Sequence, residues 1–276
     1  TTGGTPTLSL NVGGTAVQAT YVSGSGSNAL VFTATVASGH NDSNGVAIGV
    51  NALALNGGTL QDASGNNSSI TSLAVADNGK YLVDTTRPTA TVTSSTSALI
   101  SGQTATITFT FSEDVGTSFV WNGTSGDVSV TGGTLSAISG TGLSRTATFT
   151  PTASTGGTGS ISVTGANYSD LAGNTGSNAS SATINIDTAA PTITSLALNT
   201  AGSTGLVSST FNAGDLAAVA VVFSEAITVD ITGGVPTLSM TIGTTLVTAD
   251  YVSGSGTTTL LFKYTILAGQ TDTDGI

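Results

Sequence analysis

The stretch ATITFTFSE, at residues 105–113, shows the pattern on which the prediction of the fold rests. Apolar residues take every second position as far as Phe111, and threonines stand between them. Because successive side chains of a β-strand point to opposite faces, this alternation is typical of a strand with one buried face. Residues 30–36 and 260–266 show the same alternation. Pairs that contain glycine separate such runs and indicate tight turns.

The composition extends this prediction to the whole chain. Threonine, serine, glycine, alanine and valine dominate its 276 residues, and together they favour strands and turns over helices. Short strands with frequent turns, in units of about 100 residues, are typical of immunoglobulin-like sandwiches. We therefore predict an all-β fold of tandem immunoglobulin-like β-sandwich domains in an elongated array.

Internal repeats set the predicted domain boundaries. Residues 2–46 match residues 232–276 without a gap, and about half of the positions are identical. Between these copies, the linker segment DTTRPT at 84–89 recurs as DTAAPT at 187–192. We predict three domains: 1–84, incomplete at its N-terminal side; 85–187, complete; and 188–276, of the same type as the first and incomplete at its C-terminal side.

Two further motifs accompany these linkers. A strand-like run ending in Phe-Ser-Glu follows each linker, and its glutamates, Glu113 and Glu225, are the only two of the chain. The motif Asp-x-x-Gly-Asn occurs at 62–66 and again at 170–174. Asp, Gly and Asn are common turn formers, so this motif alone is equally compatible with a plain turn and with a metal-binding loop.

The topology of a seven-stranded sandwich predicts that some of these residues meet. Strands alternate up and down, so the entering linker, the loop after the second strand and the loop before the last strand share one pole. These elements carry Asp84, Glu113 and Asp170, and Asn174 offers one more oxygen. Calcium takes six to eight oxygen ligands, many from carboxylates and carbonyls. We therefore predict a Ca²⁺ site at the junction between the first two domains.

Other acidic positions are predicted as weaker candidates. At the next junction stand Asp187 and Glu225, and the first domain keeps Asp62 and Asn66 without a glutamate. A short Asp/Asn–x–Asp/Asn–Gly pattern also occurs twice, and here the metal and the plain-loop interpretations stay equally open. Its residues are Asp42, Asn44, Asp272 and Asp274.

The charge and the residue types exclude several classes of function. The net charge is −11 with only four Lys and Arg, which argues against nucleic acid as a partner. The chain has no cysteine and one histidine, and no hydrolase or phosphate-binding motif is present. We predict no enzymatic activity and no direct membrane insertion of this segment. Trp121, the only tryptophan, is interpreted as a packing residue, with a sugar platform as the alternative.

The quoted motifs resemble known bacterial repeats. The elements DTTRPTATVTSS, ITFTFSEDV and DLAGN resemble bacterial Ig-like repeats of giant surface proteins. The opening segment GGTPTLSLNVGGTAVQATYVSGSGSNALVFTATV resembles a related repeat of swimming- and flagellar-associated surface proteins. Both repeats are common in RTX-type adhesins. The resemblance implies an extracellular or bacterial cell-surface location and calcium at domain junctions, with Asp84, Glu113 and Asp170 in the matching positions.

These observations lead to a structural hypothesis for function. We expect a stalk or extender segment of an adhesin, stiffened by calcium, whose partners are neighbouring repeats of the same chain and possible further copies of itself. The first alternative is a self-assembling extracellular filament, sheath or surface-layer protein. The second is a carbohydrate-binding module built around Trp121.

Overall fold

The protein is all-β and divides into two compact units, Thr1–Thr188 and Ala189–Ile276. The computed structural model describes residues 3–181, 183–273 and 275–276. No α-helix occurs in these ranges. The prediction of an all-β fold with Ig-like sandwich architecture is confirmed. The second unit begins one residue after the predicted start of the third domain, and the boundary at residue 84 stays a prediction.

The first unit opens with one four-stranded sheet in the order β3-β2-β1-β4. All the pairings within it are antiparallel. Few of its side chains are buried, and the buried apolar residues of its strands are Val12, Val17 and Ala19. Its strands are β1 (Thr7–Val12), β2 (Thr15–Ser23), β3 (Val31–Thr33) and β4 (Ala47–Ala54).

The rest of the first unit is a sandwich of two sheets. One has the order β5-β7-β10-β9, and the other has the order β12-β11-β13-β6, with β8 also pairing with β11. The strands are β5 (Ala90–Ser94), β6 (Ala98–Ile100), β7 (Ala105–Phe111), β8 (Val128–Thr131), β9 (Gly133–Leu135), β10 (Ser144–Pro151), β11 (Gly156–Val163), β12 (Ala179–Ser180) and β13 (Ile184–Asp187). A short 3₁₀ turn, Gly165–Asn167, precedes β12.

The apolar alternation of residues 105–111 builds this core. Ala105, Ile107, Phe109 and Phe111 are all buried, whereas the threonines between them are exposed or half-buried. The ring of Phe109 packs against that of Phe119 at a centroid distance of 5.4 Å. Because β7 lies inside its sheet, between β5 and β10, its inward side chains reach the centre of the sandwich.

The second unit is one five-stranded sheet in the order β14-β15-β18-β17-β16. Its last three strands repeat the first three strands of the chain, with the same register: Leu8 opposes Ala19, and Leu238 opposes Ala249. The long strand β15 supplies buried Ala217 and Val221. The strands are β14 (Ile193–Leu198), β15 (Leu216–Ile227), β16 (Thr237–Ile242), β17 (Thr245–Ser253) and β18 (Thr257–Thr265).

We expect Phe109→Ala to lower the free energy of unfolding of the middle sandwich by about 3–5 kcal/mol, since the removed ring leaves a cavity in a close-packed core. Urea unfolding followed by the fluorescence of Trp121, the only tryptophan, measures this change. The control is Leu73→Ala, at a side chain that is 89% exposed, and it should leave the midpoint unchanged. Equal effects of the two variants would contradict the assigned core.

Candidate metal centre

Three acidic residues from separate parts of the chain meet at one end of the middle sandwich. One ligand atom from each of Asp84, Glu113 and Asp170 lies within 4.8 Å of the others. Asp84 follows Val83, Glu113 comes two residues after β7, and Asp170 lies in the loop after the 3₁₀ turn. Their side-chain burial increases in that order, from exposed through half-buried to buried. These three residues form a group that can hold a metal ion.

The serine of the Phe-Ser-Glu motif fixes Glu113 beside the linker. The Ser112 amide donates to the Thr89 carbonyl at 2.9 Å, and the Thr89 amide donates to Ser112 Oγ at 2.9 Å. Sequence reasoning singled out the glutamate and missed this serine. The signal was available in the sequence, because a serine precedes the glutamate in both copies of the motif. In the second unit Ser224 forms the same reciprocal pair with Thr192.

The loop Asp170–Asn174 is folded around the Asp170 carboxylate. Its two oxygens accept hydrogen bonds from the backbone amide and from the side-chain Nδ2 of Asn174, each at 2.8 Å. Asn174 Nδ2 also donates to the Asp84 carbonyl at 3.0 Å. Asn174 was predicted as an oxygen ligand, and in the structure its amide nitrogen joins the linker to this loop.

Two further contacts hold the loop that follows Glu113. Ser118 Oγ donates to the Ser169 carbonyl and accepts from the Ser169 amide at 3.1 Å. The buried guanidinium of Arg145 donates to the Phe119 carbonyl at 3.0 Å and to the Gly116 carbonyl. It also lies 5.5 Å from the centre of the Phe111 ring. The loops on either side of the acidic group are therefore joined by polar side chains that the sequence pattern did not reveal.

The electrostatics of the group centre on Glu113. Burial raises the pKa of its carboxyl group above the ordinary 4.5, and the negative charges of Asp84 and Asp170 raise this pKa further. Its Oε1 atom is buried and has no hydrogen-bond partner within the described ranges. Clustered carboxylates repel one another when all are ionised. A bound proton or a bound cation relieves this repulsion, and the unpartnered Oε1 atom of Glu113 can accept either.

The predicted residues of the first domain lie outside this group. The loop Asp62–Asn66 has the same internal hydrogen bonds as Asp170–Asn174, with Asn66 donating from its backbone at 2.9 Å and from Nδ2 at 2.7 Å. These bonds lower the pKa of Asp62. The loop geometry is therefore repeated, but Asp62 is exposed and does not belong to the three-acid group.

Asp42 is buried near the linker, and its carboxylate accepts hydrogen bonds from backbone amides. It accepts from the amides of Gly13 and Gly45, both at 2.8 Å, and Asp42 pairs with Val83 in an isolated bridge. Asn44 Nδ2 donates to Asp77 at 2.6 Å. These bonds show a structural role for the loop, and metal binding by Asp42 or Asn44 stays a prediction.

The remaining predicted residues lie in or near the second unit. Asp272 accepts from the amides of Gly243 and Gly275 at 2.9 Å, which repeats the pattern of Asp42. Asp274 lies outside the described residues. Asp187 is exposed at the end of β13 in the first unit, and Glu225 is half-buried on β15 in the second. A shared site of Asp187 and Glu225 stays a prediction.

Trp121 lies at the edge of the middle core. Its ring is half-buried and packs against the buried cluster that includes Phe109, and its Nε1 donates to the Leu135 carbonyl at 3.4 Å. These contacts agree with a packing role.

The segment that contains the three acidic residues is similar to a known protein family. Residues 84–186 match the sequence model of a family described as a bacterial Ig-like domain. The matched segment is similar to that domain, and it contains Asp84, Glu113 and Asp170. The resemblance to bacterial Ig-like repeats is confirmed for these residues, whereas the resemblance to RTX-type adhesins stays a prediction. No curated protein matches the chain. Among the described residues no helix is long and apolar enough to cross a membrane.

We expect Ser112→Ala to lower the free energy of unfolding of the middle sandwich by about 1 kcal/mol, because the Thr89 amide loses its acceptor. Ser224→Ala is the matched control, since it removes the corresponding bond in the second unit. The transition reported by Trp121 should shift for the first variant only. A shift of this transition in both variants would contradict the local role of Ser112.

The raised pKa of Glu113 predicts a pH dependence in metal-free buffer. Between 4.5, its ordinary pKa, and its raised value, the folded state binds more protons than the unfolded state. The resulting stabilisation is complete below 4.5 and is lost as pH rises through the raised pKa. Melting temperatures of wild type and Glu113→Gln, measured with chelator from acidic to neutral pH, isolate this contribution. Parallel curves for the two proteins would disprove the assignment.

Proposed function

We propose that this protein is a non-enzymatic stalk segment of a bacterial surface or secreted adhesin, and that calcium fixes the linker near Asp84. The observation that supports this proposal is the group Asp84, Glu113 and Asp170, which joins a linker to two loops of the following sandwich. An ion shared by these three segments restrains the linker relative to the sandwich. A restrained linker is what a rigid spacer needs.

The donor set favours calcium over other common metals. The three side chains offer only oxygens, and calcium accepts six to eight oxygen ligands in flexible geometry. Magnesium requires nearly ideal octahedral geometry and dehydrates reluctantly. Zinc sites in proteins are commonly built with Cys and His, and neither residue type is present in this group. Backbone carbonyls and water supply the remaining ligands of such a calcium site.

The linker is also attached to the preceding loop by direct hydrogen bonds. The Thr85 amide donates to Asn41 Oδ1 at 2.8 Å, and Asn41 Nδ2 donates to Thr86 Oγ1 at 2.6 Å. The Gly39 amide donates to Thr85 Oγ1 at 2.9 Å. Calcium at Asp84 therefore adds a restraint on the side of the sandwich, where the contacts include three mutually repelling carboxylates.

The proposed location is extracellular, where calcium is abundant enough to fill weak sites. The net charge of −11 agrees with a protein that uses bound cations to neutralise its acidic poles. In this role the segment holds a distal binding domain away from the cell, and its partners are the neighbouring repeats of the same chain.

Calcium should stabilise the folded protein by mass action, by about 2.7 kcal/mol at a concentration 100 times the dissociation constant. We expect Glu113→Gln to weaken calcium binding at least tenfold in titration calorimetry, because it removes one charge and leaves the side-chain size unchanged. The control is Asp114→Asn, at the exposed neighbour that accepts from the Gly116 amide. Equal affinities of wild type and Glu113→Gln would exclude this site.

Solution scattering separates metal binding from stiffening. The same proteins are measured with calcium and with chelator. The proposal requires that calcium narrows the pair-distance distribution of the whole molecule in wild type and in Asp114→Asn. In Glu113→Gln calcium should leave this distribution unchanged. Calcium binding without any change in scattering would retain the metal site and reject the mechanical role.

A further inference from the structure

One strand of the middle sandwich carries a charged side chain on its inward face. Along β10, Arg145, Ala147 and Phe149 alternate with less buried residues and are themselves buried. Charged side chains are almost never fully buried unless they are paired. Arg145 is only 6% exposed, and no carboxylate forms an ion pair with it within the described ranges. The sandwich therefore keeps a positive charge at a core-facing position without a negative partner.

The contacts of Arg145 use only part of its hydrogen-bonding capacity. A guanidinium has five N–H donors, and two of them donate to the carbonyls of Gly116 and Phe119. Its Nε is buried and has no partner in the described part of the chain. The rings of Phe111 and Phe119 lie with their centres 5.5 Å and 5.8 Å from the guanidinium carbon. They stabilise the charge without occupying a donor, so Arg145 has donors left for a further acceptor.

Arg145 lies in the wall of an open cleft of about 550 Å³. This volume is within the range of small-molecule binding sites. Residues between 116 and 126 line one side of the cleft, and residues between 138 and 141 line the other. Every lining residue belongs to the middle sandwich, and Arg145 is the only charged residue among them. The cleft therefore offers one positive charge to a ligand.

Trp121 adds an aromatic surface to the same cleft. Its ring is half-buried, and besides packing against the core cluster it lines the cleft. Short polar side chains line the cleft around it, those of Thr117, Asn122, Ser125 and Thr141. An aromatic surface with a few polar groups and one charge is a common composition of ligand sites. It matches the apolar ring face, the hydroxyls and the carboxylate of an acidic sugar.

We propose that this cleft binds a glycan through one acidic sugar residue, whose carboxylate is held by Arg145 and whose ring lies against Trp121. Guanidinium groups bind carboxylates by charge-assisted hydrogen bonds. The net charge of −11 repels a polyanion, and the cleft supplies a single cation. The ligand therefore carries one carboxylate on an otherwise neutral glycan. This inference goes beyond the stalk function and does not depend on calcium.

The fluorescence of Trp121 measures this binding directly, because it is the only tryptophan and it lines the cleft. One probe is cellobiouronic acid, a disaccharide of glucuronic acid and glucose. Cellobiose is the neutral control, since it has a hydroxymethyl group in place of the carboxylate. N-acetylglutamate supplies a carboxylate without a sugar ring. Chelator is present throughout, so that calcium cannot bridge protein and probe.

We expect the wild-type protein to bind cellobiouronic acid at least tenfold more tightly than either control compound. Cellobiose lacks the charge that Arg145 attracts, and N-acetylglutamate lacks the ring that covers Trp121. No fluorescence change with cellobiouronic acid would overturn the proposal. Equal affinity for cellobiouronic acid and cellobiose would also overturn it, and equal affinity for N-acetylglutamate would reject a sugar as the ligand.

Two variants test the role of the guanidinium. Arg145→Gln should weaken the binding of cellobiouronic acid at least tenfold, whereas Arg87→Gln, at an exposed arginine outside the cleft, should leave it unchanged. Because Arg145 also holds two loop carbonyls, a second variant keeps it in place. Thr117→Glu adds a competing carboxylate at an exposed position of the cleft and should weaken binding several-fold. Full affinity in Thr117→Glu, or equal losses in the two arginine variants, would contradict the proposal.

Discussion

Repulsion among Asp84, Glu113 and Asp170 is the constraint on which the arrangement of the linker depends. Three carboxylates with oxygens within 4.8 Å of one another favour separation when they are ionised, so the surrounding contacts must hold them in place. Neutral hydrogen bonds do this: Ser112 with Thr89, Ser118 with Ser169, and Asn174 with the Asp84 carbonyl. The local backbone is thus held by hydrogen bonds of the protein itself, which would lower the ordering cost of binding a cation at this group.

The same local motif has different chemistry in its two copies. Asp62–Asn66 and Asp170–Asn174 form the same loop with the same internal hydrogen bonds. Only Asp170 meets two further carboxylates, because a glutamate-bearing strand and an acidic linker end beside it. The loop supplies one carboxylate, and its neighbours decide whether that carboxylate joins an acidic group that can hold a metal ion.

The partly predicted site shows where reasoning from sequence succeeds. Asp84, Glu113 and Asp170 were placed together by strand alternation, because up-and-down topology assigns each loop to a pole. Ser112 and Arg145 were missed because their roles depend on atoms that lie near them only after folding. Arg145 was noted only as one of four positive charges, yet it is buried against two aromatic rings and holds the loop after Glu113.

Period-two alternation and the internal repeats, both visible in the sequence, determined the all-β class, the strand positions such as β7, and the meeting of the three acidic residues. Each of these follows from covalent order and side-chain direction along a strand. The tertiary structure alone decided that Asp42 serves backbone amides, that Asn174 turns its nitrogen toward the linker, and that Leu30 stays half-exposed while Leu260 is buried. These outcomes depend on which segments become neighbours in space. Identical residues therefore acquire different burial and different partners in the two copies of one repeat.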